Sequence, residues 1–183
     1  RDGRACLRSA ERLEPASGLW QELPDMQAPR ACAAAGRLQG RLYVCGGLGQ
    51  PACLASAERL DIERGAWEPL TPMLEGRGCA AGAAMAGHVY ACGGRDGERL
   101  LSSVERFGPE LGQWEAMPPL RQARSYAAAG TINGQLYVLG GFDGLRPLDA
   151  AEAFNEERWR WDTWLESMPA PRFSAASVVM EST

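Results

Sequence analysis

Glycine pairs at Gly46-Gly47, Gly93-Gly94 and Gly140-Gly141 recur every 47 residues, and Trp20, Trp67, Trp114 and Trp161 keep the same interval. Glu11, Glu58, Glu105 and Glu152 fall on it as well, as do Tyr43, Tyr90 and Tyr137. A fixed period near 50 carrying four short apolar runs per unit is how the blades of a β-propeller are written, each blade burying its faces against its neighbours. The expected fold class is therefore all-β, built from blades of four antiparallel strands. Function in such an array belongs on loops at the mouth of the ring, not in a single cleft.

Within one unit, alternation and turn chemistry give four strands. Ala31 to Leu38 is small and apolar, Gln39-Gly40 is a turn, and Arg41 to Gly46 reads as a second strand. One blade further on but one, the same turn is Asn133-Gly134, the dipeptide that best tolerates the positive φ angles of a tight hairpin. An irregular segment follows the glycine pair, then Ser56 to Leu60, a turn at Ile62 to Gly65, and Ala66 to Leu70 around Trp67. Pro72, Pro118 and Pro169 punctuate the exits. The order is strand A, strand B, loop, strand C, strand D, loop.

These residues resemble the kelch repeat over the whole sequence. The motif is an apolar residue, Tyr-Val and Gly-Gly, then Asp-Gly at Asp96-Gly97 and Asp143-Gly144, then Ser103 to Phe107, then Trp with Met and Pro behind it. The resemblance implies a kelch β-propeller segment with three complete repeats at 27–73, 74–120 and 121–168. Residues 1–26 are expected to supply strands C and D of a broken blade, and 169–183 a closing strand A. Arg172 to Met180 resembles the closing strand of kelch-like proteins, whose rings of about six blades would need roughly 280 residues at this period. The alternative left open is that this strand joins the first C and D strands and closes four blades.

Composition narrows the function. With 19 basic and 23 acidic residues the net charge is −4, which argues against general affinity for nucleic acid. No apolar run approaches the roughly 20 residues of a spanning helix, so no membrane role is expected. The six cysteines fall into pairs at the repeat interval, Cys6 with Cys53, Cys32 with Cys79 and Cys45 with Cys92. In the next unit these positions hold Leu100, Tyr126 and Leu139, so they read as small apolar side chains in a reducing compartment. Equivalent cysteines in neighbouring blades are expected to lie too far apart for a bridge, which needs Cα atoms within about 7 Å. A redox-sensing thiol at Cys53 is the remaining alternative. His88, the single histidine, stands where Arg41 and Gln135 stand in adjacent units, a polar surface position. Without a second histidine there is no convincing base for a nucleophile and no His-based metal site. No cofactor, no metal and no enzymatic activity are expected.

The repeated glutamates read as fixed hydrogen-bonding elements between strands or blades. Each neighbours an arginine in the first three copies, and adjacent strand residues face opposite ways, so glutamate and arginine cannot share one task. The tryptophans should bury their rings against a neighbouring blade, and the glycine pairs should admit close backbone approach near the crowded axis.

Arg30, Arg77, Arg124 and Arg172 precede strand A in every unit. In kelch-like proteins the D to A and B to C loops emerge on one face and bind the partner, so the resemblance places these arginines and Ser125 on a recognition rim. Leu48, Arg95 and Phe142, the first residues of the B to C loops, join them, with Arg1 in the equivalent place of the broken blade. The competing reading is that the arginines hydrogen-bond backbone carbonyls between blades. The resemblance implies a protein-binding module whose partner is a protein or an extended acidic peptide clamped by guanidinium groups. By the same resemblance the module serves a BTB-kelch adaptor that presents captured protein to a cullin-RING ubiquitin ligase. A cytoplasmic location, with nuclear or cytoskeletal alternatives, goes with that role. An actin-binding scaffold is the alternative function, and a propeller-based enzyme the more distant one.

Overall fold

The computed structural model describes residues 5–163, 166–175 and 177. Among the described residues, fourteen strands lie in one two-stranded and three four-stranded antiparallel sheets. β1 (Ala10–Glu14) pairs with β2 (Leu19–Leu23). The complete blades are β3 (Ala34–Leu38), β4 (Arg41–Cys45), β5 (Ala57–Asp61) and β6 (Ala66–Leu70); β7 (Ala81–Met85), β8 (His88–Cys92), β9 (Val104–Gly108) and β10 (Gln113–Met117); and β11 (Ala128–Ile132), β12 (Gln135–Leu139), β13 (Ala151–Asn155) and β14 (Arg160–Thr163). In each blade consecutive strands are neighbours. The all-β, four-stranded blade architecture read from the repeat is what the structure has.

The hairpin between strands A and B is a two-residue turn with φ positive at both central positions: 49° and 75° at Gln39-Gly40, 47° and 78° at Ala86-Gly87, and 50° and 74° at Asn133-Gly134. That combination matches the right-handed twist of the flanking strands. Strand A begins three residues later than the apolar run suggests. Cys32 has φ of 51°, outside the β region, and the same break recurs at Cys79 and Tyr126. Arg172 to Ala175 is not paired in a sheet, and Val178 to Met180 lie outside the described residues.

The core lies in the seams between blades. Tyr43, Val89, Phe107 and Trp114 pack together across the first seam, and Tyr90, Leu136, Phe154 and Trp161 across the second. Each tryptophan also ties its blade to the stretch before it. The indole N–H donates to the Pro24 carbonyl from Trp67 at 2.8 Å, to Thr71 from Trp114 at 2.9 Å, and to Pro118 from Trp161 at 2.9 Å. Trp20 has no such neighbour among the described residues and is 67% exposed, against 9% for Trp67.

Near the axis the innermost strands come too close for side chains. A Cβ on Gly36 would lie 3.1 Å from the Ala83 carbonyl oxygen, and one on Gly82 would meet the Ala35 backbone. This accounts for the Ala- and Gly-rich composition of β3, β7 and β11. At Gly46-Gly47, φ is 66° and 107°, a Cβ on Gly46 would run into the Arg77 carbonyl, and the Gly47 N–H donates to that same oxygen at 2.9 Å. Gly93-Gly94 and Gly140-Gly141 repeat the arrangement against Arg124 and Arg172.

The contrast between the tryptophans is testable. Trp67→Ala should cost about 3–5 kcal/mol, as for other buried aromatic truncations, while Trp20→Ala should stay within about 0.5 kcal/mol of the parent. Denaturant midpoints measure both, and equal losses would remove the packing role from Trp67.

Candidate functional site

Arg30, Arg77 and Arg124 are not on the rim. They are 5%, 0% and 1% exposed, and each guanidinium is consumed within its own blade. Arg77 Nη1 donates to the carbonyls of Gly93 (2.9 Å) and Ser103 (3.0 Å), and Nη2 to Glu105 (2.6 Å) and Glu75 (2.9 Å). Arg30 reaches Gly46, Ser56 and Glu58 in the same way, and Arg124 reaches Gly140, Ala150 and Glu152. The expectation of arginines offered to a partner is corrected: they hydrogen-bond backbone carbonyls, as in the competing reading, but within one blade and not between blades, and so fasten the D to A loop to the ends of strands B and C. A planar five-donor fork suits that task, because two carbonyls and a carboxylate lie in its reach at once. Burial pushes the Arg124 guanidinium below its ordinary range, with Glu152 acting in the opposite direction.

The repeated glutamates complete the clamp. Glu58 accepts from the backbone N–H groups of Gln27 (2.6 Å) and Ala28 (3.1 Å) besides Arg30. Glu105 and Glu152 do the same for Leu74 and Arg121. The neighbouring arginines of strand C face the other way, Arg59 pairing with Glu68 at 2.7 Å and Arg106 with Glu115. Arg172 has no carboxylate partner among the described residues and is exposed.

What lines this end is the residue two after each arginine, exposed at Cys32 and Ser174, half-buried at Tyr126 and buried at Cys79, together with the start of each B to C loop. Cys32, Cys79, Tyr126 and Ser174 have φ of 51°, 56°, 55° and 53°, and form a chain of hydrogen bonds from blade to blade. The Cys79 N–H donates to Cys32 O (2.9 Å), Tyr126 to Cys79 (2.8 Å) and Ser174 to Tyr126 (2.9 Å). Leu48, Arg95 and Phe142 each make an isolated bridge with the residue after the arginine, namely Ala31, Gly78 and Ser125. Ser125 itself is 2% exposed and pairs both its backbone groups with Phe142, so it contributes wall and not reach. Leu48 is half-buried over Gly78, where a Cβ would stand 2.5 Å from its Cδ2. Arg1 lies outside the described residues.

Chemistry concentrates at the mouth of the second seam. A cavity of about 290 Å³ opens there between Arg95, Arg99, Leu100, Ser125, Tyr126 and Phe142. Phe173 stands beside it, 50% exposed, edge-on to Tyr126 with ring centroids 6.3 Å apart and 5.8 Å from Phe142. Arg95 is exposed, touches only the Gly97 carbonyl (3.0 Å) in a side-chain hydrogen bond, and has no carboxylate partner among the described residues. The loop tip next to it is rigid by its own means. Asp96 accepts from the backbone N–H groups of Glu98 and Arg99, both at 2.9 Å, and these bonds draw its carboxyl down to about 2. Asp143 repeats the turn with Leu145 and Arg146, so the Asp-Gly motif shapes loops and leaves recognition to the side chains between them.

Of the residues expected at the rim, Arg95, Ser125 and Phe142 line this cavity, and the Tyr126 and Phe173 that stand with them were not among those expected. The available signal was the appearance of an aromatic at a position that earlier units fill with cysteine. The wide space at the axis, about 730 Å³ between the inner strands, is lined by backbone-rich positions such as Gly36, Ala83 and Gly130 and offers little for recognition. Among the described residues no group of three or more His, Cys, Asp or Glu side chains is placed to hold a metal. His88 is a half-buried residue at the head of β8, its Nδ1 2.8 Å from the Ala86 carbonyl oxygen.

Comparison with protein families finds the kelch motif at residues 29–74, 76–121 and 123–163. No curated protein matches the sequence closely enough to be reported as a relative.

Removing one side of a buried ion pair strands the other charge. Arg77→Ala should therefore cost about 3–5 kcal/mol, whereas Arg95→Ala should leave the thermal midpoint within a few degrees of the parent. Thermal denaturation followed by circular dichroism checks both, and an unchanged midpoint for Arg77→Ala would refute the clamp.

Proposed function

The chain belongs to the kelch-repeat proteins, whose propellers are protein-interaction modules, and on that footing we propose that it captures a protein partner on the loop face at the second seam. The observation that carries this is the cavity between Arg95, Tyr126 and Phe142, rimmed by the half-exposed ring of Phe173. Exposed aromatics rarely stand together without a partner, and tyrosine, phenylalanine and arginine are the side chains that concentrate binding energy in interfaces. An uncommitted guanidinium beside an aromatic wall selects an apolar residue next to a carboxylate, the two contacts being close enough to be made by one extended segment.

The proposed occupant is thus an acidic peptide segment bearing an aromatic or aliphatic anchor. The acidic preference comes from Arg95, not from the buried arginines of the clamp. Beyond this chain, the likeness of its motifs to kelch-like proteins supports a role in presenting the captured protein to a cullin-RING ubiquitin ligase.

Peptide display selected on the folded chain should return segments with Asp or Glu within two residues of Phe, Trp, Leu or Ile. Arg95→Ala and Phe142→Ala should each weaken those peptides about 10-fold or more, the loss of a contact worth about 1–2 kcal/mol, with the melting temperature kept. Peptides that bind both variants unchanged would move recognition off this cavity. In the full-length protein, failure to co-purify with a cullin scaffold would remove the ligase role and leave the binding site standing.

A further inference from the structure

Cys32 and Cys79 hold the same place in successive blades, yet the structure does not keep them apart. The left-handed backbone at both, φ 51° and 56°, turns the Cys79 N–H sideways onto the Cys32 carbonyl at 2.9 Å. Cys32 stands close enough to raise the Cys79 thiol, and with one such bond between the two peptides, backbone and hydrogen-bond dimensions place their Cα atoms about 4.5–6.5 Å apart. That lies inside the range of about 4.4–6.8 Å in which a disulfide closes without backbone movement. The expectation that equivalent cysteines are out of reach fails at this pair, because the residues just before strand A meet their counterparts in the next blade as closely as the innermost strands do.

We propose that Cys32 and Cys79 are a redox modification site, a dithiol at the mouth of the ring that a peroxide converts to an inter-blade disulfide. The two thiols differ in a way that orders the reaction. Cys32 is exposed and meets solvent first, whereas Cys79 is 4% exposed. Burial, with a further contribution from Cys32, pushes the Cys79 thiol up to about 11 against a lowering by Tyr126, which suits the second partner and not the first. The Cys32 thiolate attacks one peroxide oxygen, the O–O bond breaks, and a sulfenic acid and hydroxide result. The Cys79 sulfur then attacks the Cys32 sulfur, the S–O bond breaks, and its oxygen leaves as water with the Cys79 proton. Two thiols and one hydrogen peroxide give one disulfide and two waters, the sulfurs losing two electrons and the peroxide gaining them.

Other cysteines are placed differently. Cys45 and Cys92 are buried in the seams, and burial pushes each thiol up to about 12, which keeps them inert. Cys53 is the nearest competitor: its Sγ lies 3.2 Å from where a Cβ on Gly78 would stand, next to Cys79 in sequence. It has no backbone hydrogen bond to either member of the pair among those found, its own bridge being to Leu48. This proposal stands apart from peptide capture, since it needs neither Arg95 nor Phe142.

Reduced, folded chain treated with hydrogen peroxide, then alkylated and digested with trypsin, should yield residues 31–37 joined to 78–95. Fragmentation should place the link at Cys79 and not at Cys92. The product should vanish in Cys32→Ser, a change the fold already tolerates at Ser174, and in Cys79→Tyr, which copies Tyr126. The linked protein should also unfold at a higher denaturant concentration than the reduced one. Three outcomes would overturn the proposal: Cys32 passing to sulfinic acid unlinked, Cys53 joined to Cys79 as the main product, or the same Cys32–Cys79 link prevailing equally in guanidinium-unfolded chain.

Discussion

Each complete blade carries one arginine and one glutamate withdrawn from water, and the connection between blades hangs on them. Burying both charges is expensive, and their mutual attraction offsets that cost only when the remaining donors and acceptors are also met. Here they are. The guanidinium of Arg124 takes two carbonyls and Glu152, while Glu152 takes two backbone N–H groups from the incoming loop. The loop has no regular secondary structure to satisfy its own peptide groups, so the carboxylate does what a partner strand would do. The carbonyl of the same arginine then receives the N–H of Gly94 from the blade before. One residue therefore fixes its own loop through its side chain and the adjacent blade through its backbone.

That economy explains where the sequence was informative. Period, strand order and hairpin turns were legible because each rests on local chemistry repeated three times: Gln39-Gly40, Ala86-Gly87 and Asn133-Gly134 all meet one backbone requirement. The glutamates read correctly as hydrogen-bonding elements for the same reason. The arginines did not, since a recurring cation before a strand is compatible with a rim or with a clamp, and only the distance to Glu58, Glu105 and Glu152, some 28 residues on, decides between them. Strand A was read three residues too long because Ala, Cys and Tyr carry no sign of a left-handed φ, which here is imposed by the neighbouring blade.

The proposed recognition surface was half legible. Arg95 and Phe142 stood out as departures from Leu48 at a shared position, whereas Tyr126 looked like one more core residue replacing a buried cysteine. The difference is a matter of depth along the axis: strand residues at a given repeat position are buried in a seam, but the same small displacement toward the mouth brings a side chain to the inner rim. Sequence period locates a residue around the ring. It does not locate it along the axis.

At the inner rim, the backbone of Cys32, Cys79, Tyr126 and Ser174 is held in one conformation that most side chains resist, at a cost of about 1–2 kcal/mol each. The N–H to carbonyl bonds between successive blades hold it there without help from the side chains. Because the constraint is carried by peptide groups, the side chain is released from any structural duty, and a thiol, a phenol and a hydroxyl already share the place. Such a position can change its chemistry by single substitutions without asking the fold for compensation. Inheritance of new binding preferences is then cheap at the mouth and costly in the seams, so divergence among propellers of this kind is channelled to the few residues that sit beside the axis.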